Sequence, residues 1–162
     1  KIHEVRYVKR DEDGEEMVLA LSTEDGRIVF FSTDPADLVA PAAKEGDDAL
    51  PAAKILAQLG GKDAGVMNRI KDFAVLPLEE SGSVIIVTGS SDGAVKLWRL
   101  QMADVLAGAG GLVGKMVGEY ETQNRVTCLV AFVMLDLPEG ASDDVLEEDE
   151  DEEEKEESSD DE

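Results

Sequence analysis

Several things that chemistry usually requires are scarce in this 162-residue chain. It has one cysteine, Cys128, so no disulfide can form within it, which suits a reducing compartment. Cys128 lies in an alternating apolar stretch and reads as a small buried apolar residue rather than a nucleophile. It has one histidine, His3. A Ser-His-Asp relay or a multi-histidine metal site would therefore need residues from elsewhere. No apolar run approaches the roughly 20 residues that span a bilayer, and no signal peptide is visible. The glycines of "AGAGGL" (107–112) are not followed by Gly-Lys-Ser/Thr, so they form no phosphate loop. Asp25 and Asp92 stand one to a turn, too few oxygen ligands for calcium. Enzymatic chemistry and cofactor binding are thus not expected.

Positive charge is scarce too, with 15 Lys and Arg against 38 Asp and Glu, a net charge of −23. Residues 143–162 alone hold 15 acidic residues and one lysine, a net −14. Charge of one sign at this density repels itself and has almost nothing apolar to bury, so residues 137–162 are expected to be a disordered acidic tail. Such a tail disfavours nucleic-acid backbone. It favours basic partners such as ribosomal proteins, histones or Lys/Arg-rich segments, or it serves only as a solubilising tail. Ser158 and Ser159 each precede an acidic residue by three positions, a pattern open to an acidophilic kinase; phosphorylation would add further negative charge.

What is present is a repeat. "SVIIVTGSSDGAVKLWRL" (83–100) has an apolar strand, a Ser-Asp-Gly turn and an alternating strand, which predicts a β-hairpin. "MVLALSTEDGRIVFFST" (17–33) repeats it, with the two Asp-Gly pairs 67 residues apart and Phe31 falling where Trp98 falls. Each hairpin follows another strand, "HEVRYV" from His3 and "NRIKDF" from Asn68, and "NRVTCL" from Asn124 opens a third copy. All three place a β-branched residue three positions before an apolar one: Val5 and Val8, Ile70 and Phe73, Val126 and Leu129. A fourth strand per unit is expected, at 114–122 in the second. At 53–59, "AKILAQL" reads as a strand or a short helix. Residues 34–52 read as a wide surface loop and 101–113 as a flexible connection. Arg69 and Arg125 recur just before a strand; they contact a partner or, as favoured here, pair with nearby carboxylates.

"VTGSSDGAVKLWRL" resembles the core of a WD40 repeat, and "LSTEDGRIVFFST" a divergent one. The resemblance covers roughly residues 1–135. It implies an all-β fold: a partial WD40 β-propeller of about two four-stranded blades plus an extra strand. The propeller part would span 1–136, with blade units at about 1–60 and 66–123 and the extra strand at 124–135. The naming Trp-Asp dipeptide is replaced by Trp98-Arg99 and by Phe31-Ser32. The family's structural network joins a turn Asp, a Ser or Thr on the preceding strand, a Trp, and a His before the first strand. By similarity Asp92, Thr88 and Trp98 fill three places. The His is missing there, and the first unit offers Asp25 and Phe31, with Leu21 where Thr88 stands. His3 sits too near Val5 to match.

The wide loop, the "NR" motifs and the acidic end also resemble the C-terminal half of nucleolar WD40 ribosome-assembly factors that are described as p21-activated kinase-interacting proteins. That resemblance implies a nuclear and nucleolar scaffold in maturation of the large ribosomal subunit, with pre-ribosomal and basic protein partners and a contact with the kinase. A WD40 adaptor in kinase regulation or a histone-handling complex is the alternative. Because two blades cannot close a ring, upstream blades in the same or a companion chain are expected.

Overall fold

The computed structural model describes residues 1–9, 17–40, 50–78 and 82–134. The tail predicted at 137–162, with Ser158 and Ser159, lies outside the described residues. The fold is all-β, with two four-stranded antiparallel sheets. The first sheet runs in the order β1 (Ile2–Lys9), β2 (Met17–Thr23), β3 (Arg27–Ser32) and β4 (Ile55–Gly60). The second runs β5 (Ile70–Pro77), β6 (Ser83–Ser90), β7 (Ala94–Gln101) and β8 (Lys115–Glu121). Each is a meander, the arrangement that short turns between consecutive strands allow. "AKILAQL" therefore supplies a strand, as its pairing with β3 shows.

The sheets are copies of one another down to their irregularities. Leu19 pairs with Phe31 and Leu21 with Val29; 67 residues on, Ile86 pairs with Trp98 and Thr88 with Lys96. The register slips between Phe30 and Phe31 where β3 meets β4, and again between Leu97 and Trp98 where β7 meets β8. A second slip near the start of β1 recurs at the start of β5. Bulges re-aim a strand and are specified features, so their recurrence marks a true structural repeat.

The two copies bury mainly opposite faces. In the first sheet most buried side chains lie on one face, among them Val8, Val18, Ala20, Ser22, Ile28, Phe30, Ala57 and Leu59, while Val29 is buried on the other. In the second they include Phe73, Ile86, Thr88, Trp98 and Leu100. The register equivalents of Phe73, Ile86 and Trp98 are Val5, Leu19 and Phe31, which lie on the first sheet's other side, so Val5 matches Phe73 and not Ile70 as the sequence pattern aligned them. Side chains alternate along a strand, so this is the result expected when identical units stack in the same sense, the front of one on the back of the next. A two-fold sandwich of like sheets would bury the same face twice. The shared core joins both sheets, with β1 and β2 against β5.

Two segments depart from expectation. Residues 102–106 form a short helix, α1 (Met102–Leu106), rather than a flexible connection. Its Met102 and Val105 are buried in the shared core, and α1 touches β4. The glycine run that follows is also fixed. Gln58 N–H donates to the Gly111 carbonyl at 2.9 Å, and the Gly110 and Val113 N–H groups donate to Leu56 and Gln58 at 2.8 Å, clasping the second unit to β4. The extra strand predicted at 124–135 is not formed over its described part: residues 125–134 enter no ladder. A strand exists only through a partner strand, and none lies beside this segment among the described residues. For the same reason Cys128 is exposed rather than buried.

Candidate functional site

Of the side chains singled out by sequence, Asp25, Asp92 and Arg69 gather at the turn end of the two sheets, while Trp98 and Phe31 lie farther along the strands. The turns at Asp25-Gly26 and Asp92-Gly93 need a left-handed backbone, with φ of 79° at Gly26 and 102° at Gly93. Space demands glycine as well. A Cβ on Gly26 would stand 2.7 Å from the Asn68 carbonyl oxygen, and one on Gly93 would stand 2.6 Å from that of Asn124. The Asn of each "NR" motif thus sits on the turn of the preceding unit, at both junctions.

Trp98 is buried, and its Nε1–H donates to Thr88 Oγ1 at 3.1 Å; the Thr88 hydroxyl in turn reaches the Lys96 carbonyl at 3.3 Å. A buried indole N–H needs such an acceptor. Asp92 accepts from the Ala94 N–H at 3.2 Å and from Asn68 Nδ2 at 2.8 Å. Partial burial pushes the Asp92 carboxyl up, but the Ser90 hydroxyl, Asn68 and the Ala94 amide outweigh it and hold the group below its ordinary range. Asn68 is the residue that sequence reasoning missed. It stands before the first strand of its unit, where the resemblance leads one to look for His, and supplies the same kind of donor. The "NR" repeat was the signal that could have found it.

The first unit builds its turn differently. The Arg27 guanidinium pairs with Asp25, and with the Thr23 hydroxyl it holds the Asp25 carboxyl below its ordinary range. Phe31 occupies the register position of Trp98 but lies half-buried on the open face, with no polar partner to satisfy. His3 Nε2 meets Glu24 Oε2 at 2.7 Å, and Arg69 Nη1 meets Glu24 Oε1 at 3.0 Å. These two partners hold Glu24 below the usual carboxylate range. Arg69 therefore pairs with a carboxylate across the junction between the sheets. Arg125 forms no ion pair among the described residues. The register equivalent of Glu24 in the second turn is Ser91, which carries no charge.

Two further polar contacts involve buried charges of the second sheet. Lys96, buried on the inner face, pairs with Glu119 on β8. Asp72, also buried, accepts from its neighbour's Phe73 N–H and from the Leu129 N–H, both at 2.8 Å, and lies 3.5 Å from Arg6 Nη2. Among the described residues no three His, Cys, Asp or Glu side chains gather as metal ligands would. The arrangement offers hydrogen bonds that fix turns and junctions, and a rim of paired charges.

Curated proteins similar to this chain carry one description. A chicken (Gallus gallus) protein described as p21-activated protein kinase-interacting protein 1-like is 27% identical over 133 residues, which is 82% of this chain and 27% of that protein. A Xenopus laevis protein of the same description is 36% identical over 73 residues, 45% of this chain and 17% of that protein. Those relatives are named for a kinase interaction. The matched stretch is 27% or less of the length of either relative. No family profile matches the chain. No solved structure matches it.

Proposed function

We propose that the two sheets are consecutive blades of a WD40 β-propeller, residues 1–136, followed by an acidic tail, and that the protein is a non-enzymatic scaffold. The observation that carries this reading is the stacking sense: two copies of one sheet, matched through their bulges, bury mainly opposite faces and leave the outer face of the first open. Units of this kind bury their apolar faces only on neighbours, so further blades in the same or a companion chain complete the ring. The Asn68–Asp92 bond at the turn and, separately, the Trp98–Thr88 pair between β7 and β6 hold the second unit in shape for docking.

The scaffold acts in assembly of the large ribosomal subunit, in the nucleus and nucleolus. Its rims, with Arg125 as a candidate contact, meet protein or ribonucleoprotein partners, and its tail holds basic proteins. The description shared by the two relatives favours a second reading, in which the rim binds a protein kinase. Affinity capture of the full-length protein separates them. Co-sedimentation with large-subunit precursors is expected for the first; enrichment of a kinase without those particles favours the second. Capture of neither would overturn both. Deleting residues 143–162 is expected to weaken binding to a basic protein probe such as histone, with the loss shrinking as salt rises.

A further inference from the structure

We propose that Ser91 is a phosphorylation site whose phosphate is received by Lys71 and Arg125. The repeat places these three residues as it places Glu24, His3 and Arg69. Both turns close in the same way: the Gly26 N–H donates to the Thr23 carbonyl, and the Gly93 N–H to that of Ser90. The Glu24 N–H donates to the Lys1 carbonyl at 3.0 Å and the Ser91 N–H to the Arg69 carbonyl at 3.1 Å, so Glu24 and Ser91 hold one position. Ile2 pairs with Thr23 and Ile70 with Ser90, each just before a register slip, so the next residues, His3 and Lys71, hold another. The Asn68 carbonyl packs on Gly26 and the Asn124 carbonyl on Gly93, so the residues that follow, Arg69 and Arg125, hold the third.

At the first turn the three make a closed set. Glu24 meets His3 at 2.7 Å and Arg69, from the next unit, at 3.0 Å. The second turn keeps a cation at both outer positions and lacks the anion between them. Among the described residues neither Lys71 nor Arg125 enters an ion pair, and the half-buried Ser91 uses its hydroxyl in no hydrogen bond. The adjacent carboxylate is no bar. Glu24 has Asp25 beside it, engaged by Arg27; Ser91 has Asp92, engaged by Asn68 and the Ala94 N–H. Glu121 stands opposite Ala94 at the end of β8 and is exposed to solvent.

Chemistry selects phosphate for the vacant anion. The terminal oxygens of phosphoserine stand as many bonds from Cβ as the carboxylate oxygens of glutamate do. Its charge is about −1.5 to −2 near neutral pH. Glu24, with a single charge, faces one permanent cation and a histidine; Ser91 faces two permanent cations, which balance a dianion. The donor is ATP, acted on by a protein kinase. The Ser91 Oγ–phosphorus bond forms, the γ-phosphorus bond to its bridging oxygen breaks, ADP leaves, and the hydroxyl proton passes to the kinase's base. The product draws Arg125 onto the second turn and withdraws it from the rim, a consequence that rests on the docking reading.

Two measurements test the site. Mass spectrometry of the full-length protein from its own cells is expected to find phosphate on Ser91. In chain carrying phosphoserine at position 91, phosphorus NMR should give a second phosphate pKa about one unit below that of the same chain unfolded in urea. Lys71→Gln and Arg125→Gln should each recover part of that shift. Lys115→Gln, at the far end of β8, should recover none.

Ser91 free of phosphate in the cellular protein, or a phosphate pKa unmoved by folding, or a shift that survives both Lys71→Gln and Arg125→Gln, would overturn the proposal. Failure of the docking reading shows separately: Arg125→Gln would then leave capture of large-subunit precursors and of kinase unchanged while the phosphate shift persists, which would overturn the consequence for the rim alone.

Discussion

At the scale of the residue, the indole of Trp98 is the clearest case of a side chain whose polar atom dictates its neighbours. Thr88→Val keeps the shape of the site but leaves Nε1–H buried and unsatisfied, which is expected to cost about 1–3 kcal/mol in urea unfolding. Trp98→Phe together with Thr88→Val should cost less than the sum of the two, because removing both partners removes the orphan. Asp92 and Asp25 make a second prediction. Both carboxyls are held below their ordinary 3.8 in the folded chain. Their contribution is fully present above the unfolded value and is lost as pH falls through the folded one, so the urea midpoint should drop below about pH 4. Asp92→Asn should flatten that drop. Trp98, Thr88 and Asp92 were legible in sequence because their spacing is fixed by one hairpin. Asn68 and the Glu24 pair with His3 and Arg69 were not, since those contacts cross from one unit to the next or from a strand start to a distant turn.

At the scale of the element, turns and bulges carry the repeat. Gly93→Ala places a Cβ against the Asn124 carbonyl in a left-handed conformation, and should lower stability by about 1–3 kcal/mol. Gly111→Ala, with open space around it, should shift stability by less than about 0.5 kcal/mol. Thermal unfolding of the two variants checks both. The hairpins were readable from Asp-Gly flanked by alternating residues. β4 was ambiguous because "AKILAQL" suits two periodicities, and only pairing with β3 decides it. α1 escaped notice because five residues give too short a pattern; its place comes from Met102 and Val105 entering a core built by both sheets. The strand expected at 124–135 shows the converse. Its sequence suits a strand, but strand structure belongs to a pair.

At the scale of the whole molecule, the open side of the first sheet governs behaviour in solution. Val5, Tyr7 and Ile55 are exposed there, beside half-buried Leu19, Leu21 and Phe31. Phe31→Glu is expected to leave the fold intact and lower binding of a hydrophobic dye. The repeat was legible in sequence, whereas the sense of stacking required coordinates, because either face of an alternating strand can be the buried one. That sense has a kinetic corollary. A surface whose complement is the opposite end of a like unit cannot be silenced by a twofold pair, since pairing two fronts matches nothing. Association through it has a direction, like links in a chain, and each addition regenerates the same two ends. A concentrated solution would therefore pass through a ladder of sizes, halting only where the curvature of the links brings the last back to the first.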